Sequence, residues 1–246
     1  MEFRNAYADT RRAAAYDQLG FPGTYHLAFR DLPTLLREQV AGRRAVDFGC
    51  GTGRSTRFLQ GLGFGTVGLD IAPEMVALAR RRDPAGDYRV ITDGDFSGLP
   101  AGAFDLVLCA FTFDNIPDLK RRAGLFRGLG ALLAPAGRLV NLVSTPDIYT
   151  HEWASFTTRD FPENRLALSG DVVRIITTDH PDARPVEDIV WTDAAYRETY
   201  RRAGLAPALV ARPLARGDEP IAWVSETTVA PWAIYVLKRE EPGTMI

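Results

Sequence analysis

Apolar and polar positions divide the chain into short apolar runs that alternate with longer amphipathic stretches. Runs of strand length occur at Ala45–Phe48, Thr66–Asp70, Tyr88–Thr92, Phe104–Ala110 and Arg138–Val143. The run at 104–110 is apolar almost throughout, as a strand covered on both faces requires. Between the runs the pattern predicts helices over Arg54–Gly61, from Ile71–Glu74 to Arg82, and over Asp118–Leu133. Pro73 falls in the first turn of the second of these, where its missing N–H leaves no bond unmade. Five strand–helix repeats imply an α/β fold, a parallel sheet with helices on both faces.

Two helices are expected ahead of this core, Ala8–Leu19 and one from His26 or Leu27 to Val40, broken near Pro33. After Ser144 the rhythm is lost. Thr145–Asn164 is aromatic without a period, and Asp171–Thr178 and Val186–Trp191 read as two β-rich runs of a hairpin-like insertion. A helix over Asp193–Ala203, capped by Thr192 or Asp193, and strands at Leu209–Val210 and Trp232–Leu237 close the chain before the tail from Glu240. One domain over 1–246 follows, with a helical lid at 1–42, a core at 43–143, a substrate-side insertion at 144–191 and the last helix and strands at 192–246.

Charge and cysteine content narrow the classes. With 29 basic and 31 acidic residues the net charge is −2, so nothing favours nucleic acid as a partner. Arg80–Arg82, Arg121–Arg122 and Arg201–Arg202 read as solvated charge late on helices or on exposed faces. The two cysteines, Cys50 and Cys109, sit in apolar strand contexts, so neither a disulfide framework nor a metal site is read. No apolar run reaches the roughly 20 residues of a membrane span. A cytoplasmic protein is the expectation.

The chemistry gathers at Val46-Asp47-Phe48-Gly49-Cys50-Gly51-Thr52-Gly53-Arg54, a buried strand entering a tight turn and then a helix N-terminus. Glycines there allow positive φ and close approach of a ligand to the backbone. A dinucleotide site needs glycines spaced G-x-G-x-x-G, and Arg54 stands where the third would be. Asp47 inside the motif suits a ligand bearing an ammonium group better than one bearing phosphate.

The companions of this turn follow in order: Gly68-Leu69-Asp70-Ile71, Gly94-Asp95-Phe96, Phe104-Asp105-Leu106-Val107 and Leu133-Ala134-Pro135-Ala136-Gly137. With them, residues 45–143 resemble the class I S-adenosylmethionine-dependent methyltransferase family. The resemblance implies a doubly wound, mostly parallel seven-stranded sheet of Rossmann-like type and S-adenosylmethionine as cofactor. By the same resemblance Gly49 and Gly51 would lie against the methionine part, with Gly53 also in the cofactor site and Asp47 organising the amino group directly or through water. Asp70 would bind the ribose hydroxyls and Ile71 would pack on the adenine. Asp95 would accept from the adenine amine, and the Phe96 backbone would reach a ring nitrogen. The backbone of Cys109 and Ala110 would meet the methionine ammonium, and Tyr7, Tyr16 and Tyr25 could close over the cofactor.

The acceptor should lie beyond the carboxyl ends of the strands. Phe111, Phe113 and Asn115 after the fourth strand, and Tyr149, Trp153 and Phe156 after the fifth, are the expected substrate wall. Their aromatic character suits a planar small molecule. The Asn/Asp-Pro-Pro-aromatic motif of methyltransferases acting on nucleic-acid bases is absent after the fourth strand. His151, then His26, then Asp114 are candidate bases for an acceptor that must lose a proton; a purely structural role is the alternative for each. Two other readings stand beside methyl transfer: a cofactor-binding protein without chemistry and a nicotinamide-dependent oxidoreductase. The exposed edge of the insertion could serve a homodimer or a lid equally.

Overall fold

The computed structural model describes residues 21–179 and 184–240. The expected helix at 8–19 with Tyr7 and Tyr16, and the tail at 241–246, lie outside them.

The chain begins with helices α1 (Gly23–Arg30) and α2 (Leu32–Gln39). The interruption expected near Pro33 falls at Asp31, where a second helix starts with Pro33 in its first turn. Then follow β1 (Arg44–Phe48), α3 (Arg54–Gly61), β2 (Gly65–Asp70), α4 (Pro73–Arg82), β3 (Asp87–Val90), β4 (Phe104–Ala110), α5 (Leu119–Leu132) and β5 (Leu133–Ser144). The strands β6 (Phe156–Thr157), β7 (Val172–Thr177) and β8 (Val186–Ile189) precede α6 (Asp193–Arg202), β9 (Leu205–Ala211) and β10 (Trp232–Arg239). Thr192 caps α6, its hydroxyl accepting from Ala195 N at 3.3 Å.

Seven strands form one sheet in the order β3-β2-β1-β4-β5-β10-β9. β3 through β5 run parallel, and β10 is antiparallel to both β5 and β9. This is the doubly wound sheet expected from the strand–helix rhythm. β6, β7 and β8 make a separate antiparallel sheet, so the insertion has one strand more than the hairpin expected. β6 is only two residues long, too short to leave a period in the sequence.

Side chains alternate across the main sheet as strand geometry dictates. Leu106, Leu108, Val140, Leu142, Ile234 and Val236 pack with α1, α2 and α3 on one face. Val107, Cys109, Leu139, Val143, Ala233 and Tyr235 pack with α5 and α6 on the other. Leu27, Ala28, Leu32 and Leu36 are buried in the first of these cores. The described part of the expected lid is therefore a structural layer on the sheet face. Its junction with the rest is polar: fully buried Glu226 accepts from Thr24 Oγ1 at 2.6 Å, Ala154 N at 2.8 Å and Val224 N at 2.9 Å.

Candidate functional site

β1 has β2 on one side and β4 on the other, and the chain visits β2 before crossing over to β4. The carboxyl ends of β1 and β4 thus flank the point where the strand order reverses, the crevice in which open α/β sheets bind ligands. The glycine turn lies at the first of these ends and Ala110–Thr112 at the second.

Gly49, Gly51 and Gly53 have φ values of 74°, 53° and 81°, a left-handed backbone that only glycine adopts without cost. Gly49 is also needed for packing. A methyl group on it would overlap the side chain of Thr112, whose hydroxyl donates to Phe48 O at 2.9 Å and ties the segment after β4 to the turn. This refines the expectation for Gly49, since part of the space beside it belongs to the protein itself.

Asp47 points from β1 toward α3 and is fully buried. Its Oδ2 accepts from Ser55 Oγ at 2.7 Å and Thr56 Oγ1 at 2.6 Å, which fixes the helix start behind the turn. Its Oδ1 is buried and has no hydrogen-bond partner. Burial raises this carboxyl to about 6, with the two hydroxyls opposing the shift. At the end of β2, Asp70 Oδ2 accepts from Gly51 N at 2.8 Å and Oδ1 from Ala72 N at 2.9 Å. Burial raises its pKa as well, against those backbone bonds. A carboxylate offers about four acceptor positions, so Asp70 keeps acceptor capacity beyond its backbone bonds.

An orphaned acid oxygen beside three left-handed glycines, with a second carboxylate one strand away, fits a ligand carrying both an ammonium group and a ribose. Ile71 is half-buried next to Asp70, and Ala110 is half-buried at the end of β4. Cys109 is fully buried toward α5, which leaves only its backbone for a ligand. Asp95 is exposed, and its Oδ1 accepts from Ser97 N at 2.9 Å. Phe96 packs its ring 5.7 Å from that of Phe48. Tyr25 is buried, 5.1 Å below the Arg54 guanidinium.

The expected substrate wall is largely corrected. Phe113 is fully buried and stacks on Phe126 at 3.9 Å, on the α5 face of the sheet. Tyr149, Trp153 and Phe156 belong to the opposite core. The Tyr149 hydroxyl donates to Asp188 Oδ2 at 3.1 Å and Trp153 Nε1 to Ile148 O at 2.8 Å, while the Phe156 ring lies 5.1 Å from Tyr25. Asn115 is half-buried, its side-chain amide facing Glu187 O and Asp188 Oδ1 of the insertion, two acceptors that call for the NH₂ on that side. Phe111 alone of the six aromatic or amide positions sits half-buried at the strand end, with φ of 60°. Aromatic density after β5 serves the core because the insertion folds its own small sheet there.

The candidate bases separate as well. His26 Nε2 lies 3.7 Å from Glu219 Oε1, in a group with Arg30. Asp114 is buried and held by Ser144 N at 3.1 Å, Ser144 Oγ at 2.8 Å and the Tyr196 hydroxyl at 3.2 Å. Burial raises it to about 6. His151 is half-buried, with Nδ1 3.1 Å from Asp147 O and 3.1 Å from Thr150 Oγ1. In the tautomer with Nδ1 donating to this carbonyl, the neutral ring carries its lone pair on Nε2.

The expectation of solvated charge is overturned at Arg122, which is completely buried, its guanidinium 4.1 Å from the Trp191 ring and 4.5 Å from that of Tyr196. The signal was present, since Arg122 stands three, four and seven positions before Leu125, Phe126 and Leu129 on one helical stripe. Among the described residues no group of three or more His, Cys, Asp or Glu side chains could hold a metal, and no helix is long and apolar enough to cross a membrane.

Residues 46–141 match the family described as "Methyltransferase domain". A ubiquinone biosynthesis O-methyltransferase of Xanthomonas axonopodis pv. citri is 35% identical over 107 residues, which are 42% of this chain. The chain spans only 44% of the length of that relative. Among solved structures, an S-adenosylmethionine-dependent methyltransferase from Mesorhizobium loti has a TM-score of 0.59 at 22% identity, covering 88% of this chain and 100% of that one. Another, from Clostridium acetobutylicum, reaches 0.64 at 12% identity, covering 96% and 100%. These last two establish likeness of fold. With the ordered motifs and the glycine turn, residues 46–141 carry a methyltransferase domain, and the sheet has the fold of S-adenosylmethionine-dependent methyltransferases.

Proposed function

We propose that this protein transfers the methyl group of S-adenosylmethionine to a small-molecule acceptor with an aromatic or heteroaromatic body, of the kind found in secondary metabolism. The observation that carries the reading is the paired carboxylates around the left-handed turn at the switch point, Asp47 with one oxygen unpartnered and Asp70 with acceptor positions to spare. When bound, the cofactor supplies an electrophilic methyl carbon on a sulfonium. Asp47 would organise the ammonium, directly or through water, and Asp70 would hold the ribose diol. Alignment and exclusion of water provide most of the acceleration in such a displacement. An acceptor hydroxyl must also lose its proton. His151 is the residue we assign to take it, because Asp147 O holds Nδ1 and orients Nε2 as the lone pair. The curated relatives named as O-methyltransferases favour an oxygen acceptor, although the similarity covers less than half of either chain.

Incubation with methyl-labelled cofactor and pooled phenols and heteroaromatic amines tests this reading. Label should enter the low-molecular-weight organic fraction. Incorporation into protein or RNA alone would contradict it.

A further inference from the structure

The chain between β9 and β10, residues 212–231, holds no helix or strand, yet it is pinned along its length. Buried Glu226 ties it to Thr24 and Ala154, and Glu219 ties it to Arg30. At its far end Ala230 O accepts from Thr145 Oγ1 at 2.8 Å and Pro231 O from Thr145 N at 2.9 Å. An ordered connection of this length without secondary structure is uncommon and usually serves a ligand or a lid. Its two ends, Arg212 and Thr228–Ala230, wall a cavity of about 400 Å³ beyond the carboxyl end of β5. That volume falls in the range of small-molecule sites.

Two opposite charges on these walls are left without full partners. Asp193 accepts from Arg197 Nε at 2.6 Å, from Arg212 Nη2 at 3.0 Å and from the Tyr235 hydroxyl at 2.6 Å. Two cations therefore share one acid, and a positive charge is left over at this wall. Arg212 gives only Nη2 to that acid, and its side chain is 47% exposed, so donors of its planar fork remain for a ligand. Asp147 is exposed on the same cavity. Among the described residues its carboxylate has no hydrogen bond or ion pair; its backbone carbonyl alone is engaged, by Thr150 and His151. The two charges do not pair with each other. Between a surplus cation and a lone acid, an ion of either sign gains at one wall and is repelled at the other. A zwitterion gains at both. The apolar part of the lining is half-buried Trp191, continued by Pro146, Val229 and Ala230.

We propose that this cavity binds an amino acid with an aromatic side chain, its carboxylate on Arg212, its ammonium on Asp147 and its ring against Trp191. The guanidinium fork suits a carboxylate, and the indole face suits a ring. The pinned connection holds Arg212 and Val229 in place before a ligand arrives, so little ordering is needed on binding. The site stands whether or not the chain transfers methyl groups, because it rests on the cavity and its unpaired charges alone.

Calorimetric titration of the full chain with L-phenylalanine tests the proposal, beside phenethylamine, which lacks the carboxylate, and 3-phenylpropionate, which lacks the ammonium. L-Phenylalanine should bind saturably, at least about fivefold more tightly than either analogue, as charge-assisted contacts at partly open positions allow. It should also bind at least about tenfold more tightly than L-alanine, which keeps both charges and lacks the ring. Arg212→Gln should weaken L-phenylalanine and 3-phenylpropionate at least about threefold and leave phenethylamine within about twofold. Asp147→Asn should do the reverse, weakening L-phenylalanine and phenethylamine and sparing 3-phenylpropionate. Both side chains are exposed, so neither substitution removes a core contact, and near-ultraviolet circular dichroism should match the parent for both. No saturable binding of L-phenylalanine up to about 10 mM, on the order of the weakest affinity such a site would show, would overturn the proposal. So would equal binding of the three phenyl ligands, or a substitution that weakens all three alike. Equal affinity for L-alanine would overturn the aromatic side chain.

Discussion

Replacing Asp47 by Asn isolates the cost of the buried acid beside the glycine turn. Burial raises its carboxyl from 3.8 to about 6. The folded state therefore holds the proton more tightly than the unfolded chain. Folding stability is unaffected by this group below pH 4 and falls as pH rises from about 4 through 6. At about 1.4 kcal/mol per unit, the ionised acid costs the folded protein about 3 kcal/mol at neutral pH. Asn keeps an acceptor oxygen for Ser55 and Thr56 and does not titrate. Its NH₂ takes the place of Oδ1, which has no partner, and so adds a constant penalty of about 1–3 kcal/mol. Asp114 and Asp70 titrate in the same direction, but they are common to both proteins. The informative quantity is thus the difference between variant and parent in urea-unfolding free energy, measured by circular dichroism from pH 4 to 7.5. It should shift by about 3 kcal/mol in favour of Asn across that range. Saturating S-adenosylmethionine should stabilise the parent more at pH 7.5 than at pH 5, because an ammonium beside Oδ1 favours the charged acid, and should not do so for the variant. A difference that stays flat with pH within about 1 kcal/mol would refute the reasoning.

Three further outcomes follow from the same geometry. Gly49→Ala should cost about 2–5 kcal/mol in urea unfolding, from the left-handed φ and the overlap with Thr112; a neutral effect would mean the turn is built differently. Asp70→Asn leaves one oxygen to serve both Gly51 N and Ala72 N, and cofactor affinity measured by calorimetry should fall at least about tenfold, or roughly 1.4 kcal/mol. An unchanged affinity would remove Asp70 from the ribose. His151→Ala should reduce turnover roughly 100-fold with cofactor affinity unchanged, as read from initial rates and calorimetry; a change within a few-fold would return His151 to a structural role.

The parallel core was readable because a strand covered on both faces leaves a continuous apolar run, and glycine and proline mark its ends. The side chosen by a residue was harder to read. Phe113, Tyr149, Trp153 and Phe156 follow strands at the ligand-binding end, yet all turn inward, because 3₁₀ turns after β4 and β5 and the small β6–β8 sheet redirect them. Arg122 was misread for the opposite reason. Its neighbour Arg121 is exposed enough to pair with Asp93 at 2.7 Å, and a doubled charge looks like solvated surface until the helical stripe is followed. The glycine turn was legible as a ligand site, but its contacts within the protein were not. That Ser55 and Thr56 take Asp47 Oδ2, and that Thr112 fills the space beside Gly49, depends on segments brought together only by the fold.

We propose that Asp47, the three glycines and Asp70 hold S-adenosylmethionine. Calorimetric titration of the protein with S-adenosylhomocysteine, which keeps the ammonium and ribose but lacks the transferable methyl, tests it most directly. Saturable binding near one equivalent at micromolar affinity, roughly −8 kcal/mol, with NADH giving no heat, is the expected result. No binding of S-adenosylhomocysteine, or saturable binding of NADH in its place, would remove S-adenosylmethionine from this turn.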